Sequence, residues 1–117
     1  MNEIIISQFS NEAASKAKGL LLKDRIEALL AAGTECITVD FNGITRFASP
    51  FFNNSFSALA LIHGFSVIRS IQLTNIIDIG RTTYETSLDN AEMIYTHPEH
   101  VEEINHIIEN TPKKVTL

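Results

Sequence analysis

Helical segments alternating with β-rich runs in a chain of 117 residues predict a single-domain α/β fold: a small, largely parallel sheet of three or four strands covered by helices. Three observations carry this expectation. Residues 36–41 are apolar and β-branched and run into turn chemistry at Asp40, Asn42 and Gly43. The segments on either side place apolar residues at helical spacing. No internal repeat, low-complexity block or linker interrupts that order. A chain of this length buries roughly two thirds of its unfolded surface, enough for one core without staples, so residues 1–117 read as one domain.

Taken in order, residues 3–7 give a first strand. Ser10 or Asn11 then caps a helix whose apolar positions include Ala14, Ala17, Leu21, Leu22, Ile26, Leu29 and Leu30. Gly19 inside it costs about 1 kcal/mol relative to Ala, which points to close packing, a break, or a start nearer Ser15. Gly33 ends the helix, and the central strand 36–41 follows, with Cys36 read as an inert core residue. Ser49 before Pro50 reads as the cap of a second helix, since a serine oxygen accepts from an orphan amide and proline loses nothing in the first turn.

On a wheel of about 100° per residue, Phe51, Phe52, Phe56, Ala58, Leu59, Ala60 and Ile62 of this helix, which runs to about His63, form the arc facing the core. The opposite arc carries Asn53, Asn54 and Ser57, with Leu61 an apolar residue on the wet side. Residues 70–74 give a third strand, with Ile71 and Leu73 alternating against polar neighbours, and Asn75 ends it. Residues 76–95 read as a loop and helix carrying Ile79, Tyr84, Leu88, Ala91 and Tyr95. His97, Pro98 and Glu99 open a last amphipathic helix with Val101, Ile104, Ile107 and Ile108, and residues 110–117 read as a loose tail.

The net charge of −5 is uneven: seven acids and no Lys or Arg fall between Glu85 and Glu109. That run reads as a solvated acidic face, and with the bases scattered, nucleic-acid binding is not expected. The lone cysteine cannot form an internal disulfide, and neither a secretory signal nor an apolar run of spanning length is seen, so a reduced, cytoplasmic protein without membrane contact is expected.

Catalytic signals are weak. Ser49 lies in no GxSxG elbow, and Pro50 removes the amide that would follow such a nucleophile as an oxyanion donor. Asp40 reads as a carboxylate that orders the Asn42 and Gly43 turn rather than as an acid catalyst. His97, His100, Glu103 and His106 recur every third residue, but a metal site needs further ligands, and the stretch reads as a solvated helix. No phosphate-cradling glycine loop is present. A small metal protein or enzyme using these histidines or the Asp40 loop is the alternative, and no cofactor is expected.

The stretch VDFNGITRFASPFFNNSF, with the later LTN, GRTTYE and SLDNAEMIY segments, resembles the bacterial STAS-like domains of unassigned function, over residues 15–110. These are relatives of the STAS domains of anti-sigma-factor antagonists and sulfate transporters. The resemblance implies a STAS-like fold and a non-enzymatic regulatory module that binds a protein partner, such as a histidine-kinase-like ATPase or an anti-sigma factor. The expected docking surface is the 42–61 loop and helix, with Asn42, Gly43, Thr45, Ser49, Asn53, Asn54, Ser57 and Leu61 as contacts. In the parent family an Asp-Ser-Ser-Gly segment starts the helix and its second Ser is phosphorylated. Here the Asp position is Ala48, the first Ser is Ser49 and the acceptor position falls on Pro50; a one-residue slip puts Phe47 at the Asp position and makes Ser49 the acceptor. A module switched by phosphorylation of Ser49 is therefore a second reading, because a phosphate there would add charge at the contact surface.

Overall fold

In the computed structural model of the chain, residues 2–96 are described. Three parallel strands, β1 (Glu3–Ile5), β2 (Thr38–Asp40) and β3 (Gln72–Thr74), pair in the order β1-β2-β3, with Ile4, Val39 and Leu73 in register. Parallel neighbours require crossovers, and the helices supply them: α1 (Lys16–Ala31) between β1 and β2, then α2 (Ser49–Asn53), α3 (Phe56–His63) and α4 (Phe65–Arg69) between β2 and β3. The last described element is α5 (Asp78–Thr96). The expected α/β architecture is what forms, with three strands, all parallel. The expected helix at 97–109 and the tail at 110–117 lie outside the described residues.

Alternation decides which side of each strand enters the core. Ile37, Val39 and Phe41 are buried, so their neighbours point the other way and Cys36 is exposed. That corrects the reading of Cys36 as a core residue: pairing to β3 begins only where the Gln72 amide donates to the Ile37 carbonyl, one residue later.

Ser15 is the cap of α1, its Oγ accepting from the Lys18 amide at 3.2 Å. Ser10 instead shapes the preceding turn, donating to the Glu12 carbonyl at 2.6 Å, while the Glu12 carboxylate accepts from the Ala14 amide at 2.8 Å. The buried line of α1 is Gly19, Leu22 and Ile26; Ala17 and Leu21 of the expected stripe are exposed. Gly19 is a close approach. A Cβ there would lie 2.5 Å from the Phe51 carbonyl oxygen, so α1 and α2 meet backbone to backbone. Gly33, with φ +79°, closes α1: its amide reaches the Leu30 carbonyl and the Thr34 amide reaches Leu29, a Schellman ending.

The expected helix over residues 50–63 is broken into α2 and α3. Ser55 Oγ donates to the Phe51 carbonyl at 2.8 Å, taking the acceptor its own amide would have used, and that amide turns to Phe52 instead. Asn54 Nδ2 likewise reaches the Pro50 carbonyl at 2.7 Å. The break rotates α3 relative to a continuous wheel. Ser57 turns inward and is buried, while Ile62, expected in the core, is 60% exposed. Phe41, Phe51, Phe52 and Phe56 fill the core, and the last two meet Tyr84 of α5, the Phe56 and Tyr84 rings lying edge to face at 5.1 Å. Burial raises the Tyr84 pKa above its ordinary value.

The buried line of α5 is Gly80, Tyr84, Ser87 and Leu88; Ile79 and Tyr95, expected among its apolar positions, face out. No helix among the described residues is long and apolar enough to cross a membrane.

Candidate functional site

The strand ends at Ile5, Asp40 and Thr74 mark the carboxyl end of the sheet, and the connection from β2 to α2 crosses it. In parallel α/β sheets this end is where ligands and partners usually meet the protein. Asp40 orders the first part of the connection. Its Oδ1 accepts from the Asn42 amide at 2.8 Å and from Asn75 Nδ2 at 2.9 Å, joining the ends of β2 and β3. Asp40 therefore acts as the turn-ordering carboxylate that its neighbours predict. The Ile44 amide closes the turn onto the Phe41 carbonyl at 3.0 Å, with Gly43 at φ +84°; open space surrounds Gly43, so conformation rather than room calls for glycine.

A second set of bonds pins the rest of the loop. The Ala13 amide donates to the Arg46 carbonyl at 2.9 Å and the Ala48 amide to the Ala13 carbonyl at 3.1 Å, forming an isolated parallel bridge. Phe47, between them, lays its ring over Gly80 of α5, where a Cβ would come within 2.6 Å of it, and stacks on Phe52 at 6.3 Å. Amides of the Glu12 turn, Ala14 foremost, hold the Glu12 carboxyl below its ordinary value, and Arg46 adds a smaller effect. The segment leading to α2 is thus held from both sides.

Ser49 is the first residue of α2 and not its cap. The cap position is Ala48, which has no side-chain oxygen to offer, so the expected capping role of Ser49 is corrected. Ser49 is exposed, and no hydrogen bond among the described residues engages its hydroxyl. Among the described residues no histidine stands beside it as a base: His63 sits at the far end of α3 with Nε2 3.5 Å from Glu27 Oε2.

The remaining expected contacts divide by burial. Asn42, Gly43 and Thr45 are exposed with Ser49 on the loop, and Leu61 is 51% exposed on α3. Asn53 and Asn54 are half-buried. Ser57 is removed from the surface. Ser87 of α5 donates to Asn53 Oδ1 at 2.6 Å and lies 2.6 Å from Ser57 Oγ, so the three side chains form a chain of hydrogen bonds tying α2 and α3 to α5. Ala13, Ser55 and Ser87 are the residues that sequence reasoning missed. Only Ser87 carried a signal, its seven-residue step from Gly80 on the buried line of α5.

Among the described residues no group of three or more His, Cys, Asp or Glu side chains could hold a metal ion; His97, His100, Glu103 and His106 lie outside them.

A small parallel sheet with helical crossovers and a built loop at its carboxyl end defines a class, and the family comparison agrees with it. Residues 18–79, more than half of the chain, match the family described as STAS-like domain of unknown function (DUF4325), and the chain belongs to that family. The match runs from the first turn of α1 through the β2 to α2 connection to the start of α5. No curated protein and no solved structure matches the chain.

Proposed function

We propose that the chain is a non-enzymatic regulatory module that binds a protein partner through the carboxyl-end loop and the adjoining face of α3, with Asn42, Gly43, Thr45, Ser49 and Leu61 as contacts and Asn53 and Asn54 behind them. The observation that carries this reading is the tethering of the loop. Backbone bonds at Ala13 and the Asp40 carboxylate fix its path, while the side chains it presents stay in solvent. A surface fixed before binding loses little conformational entropy on association. STAS-like family membership supports a docking role, and the resemblance to anti-sigma-factor antagonists points to a histidine-kinase-like ATPase or an anti-sigma factor as the partner. The lone cysteine suits a reducing cytoplasm.

The experiment is affinity capture from cells of the source organism with the unaltered chain and with Thr45→Arg and Leu61→Arg, each checked for intact folding by circular dichroism. A partner retained by the unaltered chain and lost from both variants is the expected result. Capture unchanged in both removes this surface.

The exposed hydroxyl of Ser49, unbonded among the described residues, favours a second reading, in which its phosphorylation adds close to two negative charges at the start of α2 and releases the partner. Intact-mass measurement after incubation with the captured kinase and ATP decides it: an added phosphate absent from Ser49→Ala supports the switch, and modification at another residue rejects it.

A further inference from the structure

Asn42 is the one asparagine of the chain that a glycine follows. The pair forms the two central residues of the turn that the Ile44 amide closes on the Phe41 carbonyl at 3.0 Å. Gly43 has φ +84°, and among the described non-glycine residues only Asn75 has a positive φ, so Asn42 lies on the negative side and the turn has the type II form. Both residues are exposed, and nothing would stand within 4 Å of a Cβ on Gly43.

Asn42 differs from nearby asparagines in what holds its side chain. Asn53 Oδ1 accepts from Ser87 at 2.6 Å, Asn54 Nδ2 donates to the Pro50 carbonyl at 2.7 Å, and Asn75 Nδ2 donates to Asp40 at 2.9 Å. Among the described residues no hydrogen bond engages the Asn42 side-chain amide, and none engages the carbonyl or the N–H of the peptide joining Asn42 to Gly43. The ends of the turn are tied, at the Asn42 amide by Asp40 and at Ile44 by Phe41, while the central peptide between them is free to rotate. In a type II turn that peptide points its nitrogen away from the preceding side chain, and turning it over brings the Gly43 nitrogen toward Asn42 Cγ. Glycine accepts either sign of φ, so residue 43 follows the rotation without the strain a Cβ would impose.

Asparagine is a thermally labile residue, and here nucleophile and electrophile are neighbours in one chain. The Gly43 nitrogen gives its proton to solvent and bonds to Asn42 Cγ. The Cγ–Nδ2 bond breaks and Nδ2 leaves as ammonia, closing a succinimide ring. Solvent water then opens the ring at either carbonyl and leaves aspartate or isoaspartate at position 42. One water is consumed for each ammonia released, and neither oxidant nor cofactor is required. The new carboxylate stands two residues from Asp40, whose like charge opposes it, and the isoaspartyl form adds a main-chain carbon inside a turn that has room for none.

We propose that Asn42 and Gly43 form a self-modifying site, at which Asn42 of the folded chain deamidates through a succinimide and places a negative charge at the turn of the carboxyl-end loop. The site lies within the contact surface proposed above, yet its chemistry is intramolecular and is read with no partner present, so either can fail without the other.

The test holds the folded full chain for days in mildly alkaline buffer and samples it by isoelectric focusing, intact mass and proteolytic mapping. A more acidic form is expected, with the mass gain of an amide turned into an acid, mapping to Asn42 ahead of every other asparagine. It should grow more slowly in mildly acidic buffer, because the attacking nitrogen must lose a proton. Asn42→Gln should abolish this form, since the longer side chain must close a larger ring, and Gly43→Ala should slow it several-fold; circular dichroism checks that both variants fold. An acidic form that arises first at another asparagine, or that persists in Asn42→Gln, overturns the proposal. So does an unchanged rate in Gly43→Ala. An Asn42 that stays an amide in the folded chain overturns it as well, and deamidation of the same residue in urea would then show that the turn protects it.

Discussion

The two ends of the sheet are held by different kinds of contact. At the carboxyl end the exposed Asp40 bonds are backed by backbone bonds and buried side chains: Ala13 to Arg46 and Ala48, Ser55 to Phe51, and the Ser57, Ser87 and Asn53 chain behind the loop. At the amino end the backbone closes α1 through Gly33 and Thr34, and the side-chain ties are ion pairs nearer the surface, Lys23 with Glu27, His63 with Glu27, and Arg69 with Asp89 and Glu92. Buried hydrogen bonds are costly to break because the orphaned partner stays desolvated, whereas an exposed ion pair gives way to water at little cost. The side-chain ties are thereby costlier to break at the carboxyl end than at the amino end. Such ties suit the presentation of a defined loop.

Substitutions at the carboxyl end should therefore cost most. Gly19→Val places a branched side chain where even a Cβ would stand 2.5 Å from the Phe51 carbonyl oxygen, and backbone on both sides cannot move aside cheaply. We expect a loss of about 2–3 kcal/mol in urea-unfolding free energy, despite the gain in helix propensity. A loss below about 0.5 kcal/mol would show that α1 and α2 slide apart freely and that this end is not fixed. Next comes Ser87→Val, which removes the hydroxyl shared by Asn53 and Ser57 and puts a larger apolar side chain in its place. About 2 kcal/mol is expected from the two polar groups left short of a partner. In the double variant Ser57→Ala with Ser87→Val the loss should be smaller than the sum of the single losses, because one orphaned hydroxyl is gone.

These ties explain what the sequence could and could not disclose. The core strand, the Asp40 and Gly43 turn and the order of elements were legible because each depends on near neighbours in the chain: β-branching, a side chain reaching two residues on, a glycine at positive φ. Ser57 was misplaced because the break at Asn54 and Ser55 comes from serine and asparagine side chains bonding back four residues, chemistry that a uniform helical wheel ignores. Ser49 looked like a cap because its type and the following proline fit one, yet the helix begins one residue earlier than that pattern implies. The partners of Ala13 and Ser87 stand thirty or more residues away, and a single sequence carries no trace of such pairings.

The smallest effects belong to the ionisable groups and test the contrast from the other side. Glu12 at the carboxyl end has its folded pKa lowered, chiefly by the Ala14 amide, so its contribution is present above the unfolded value and fades as the pH falls through the folded one. Glu12→Gln should flatten that part of the acid limb of stability, by less than about 1 kcal/mol because the group is well solvated. Glu27 at the amino end is lowered too, by Lys23 first and then His63, and the sign of its pH dependence is the same. Its partners, however, are a half-buried lysine and a histidine at the surface, both within reach of water, which replaces much of what they provide. Glu27→Gln should therefore leave the urea midpoint unchanged at neutral pH and at low pH alike. Were its midpoint to fall as far as that of Ser87→Val, the amino end would be held as tightly as the carboxyl end.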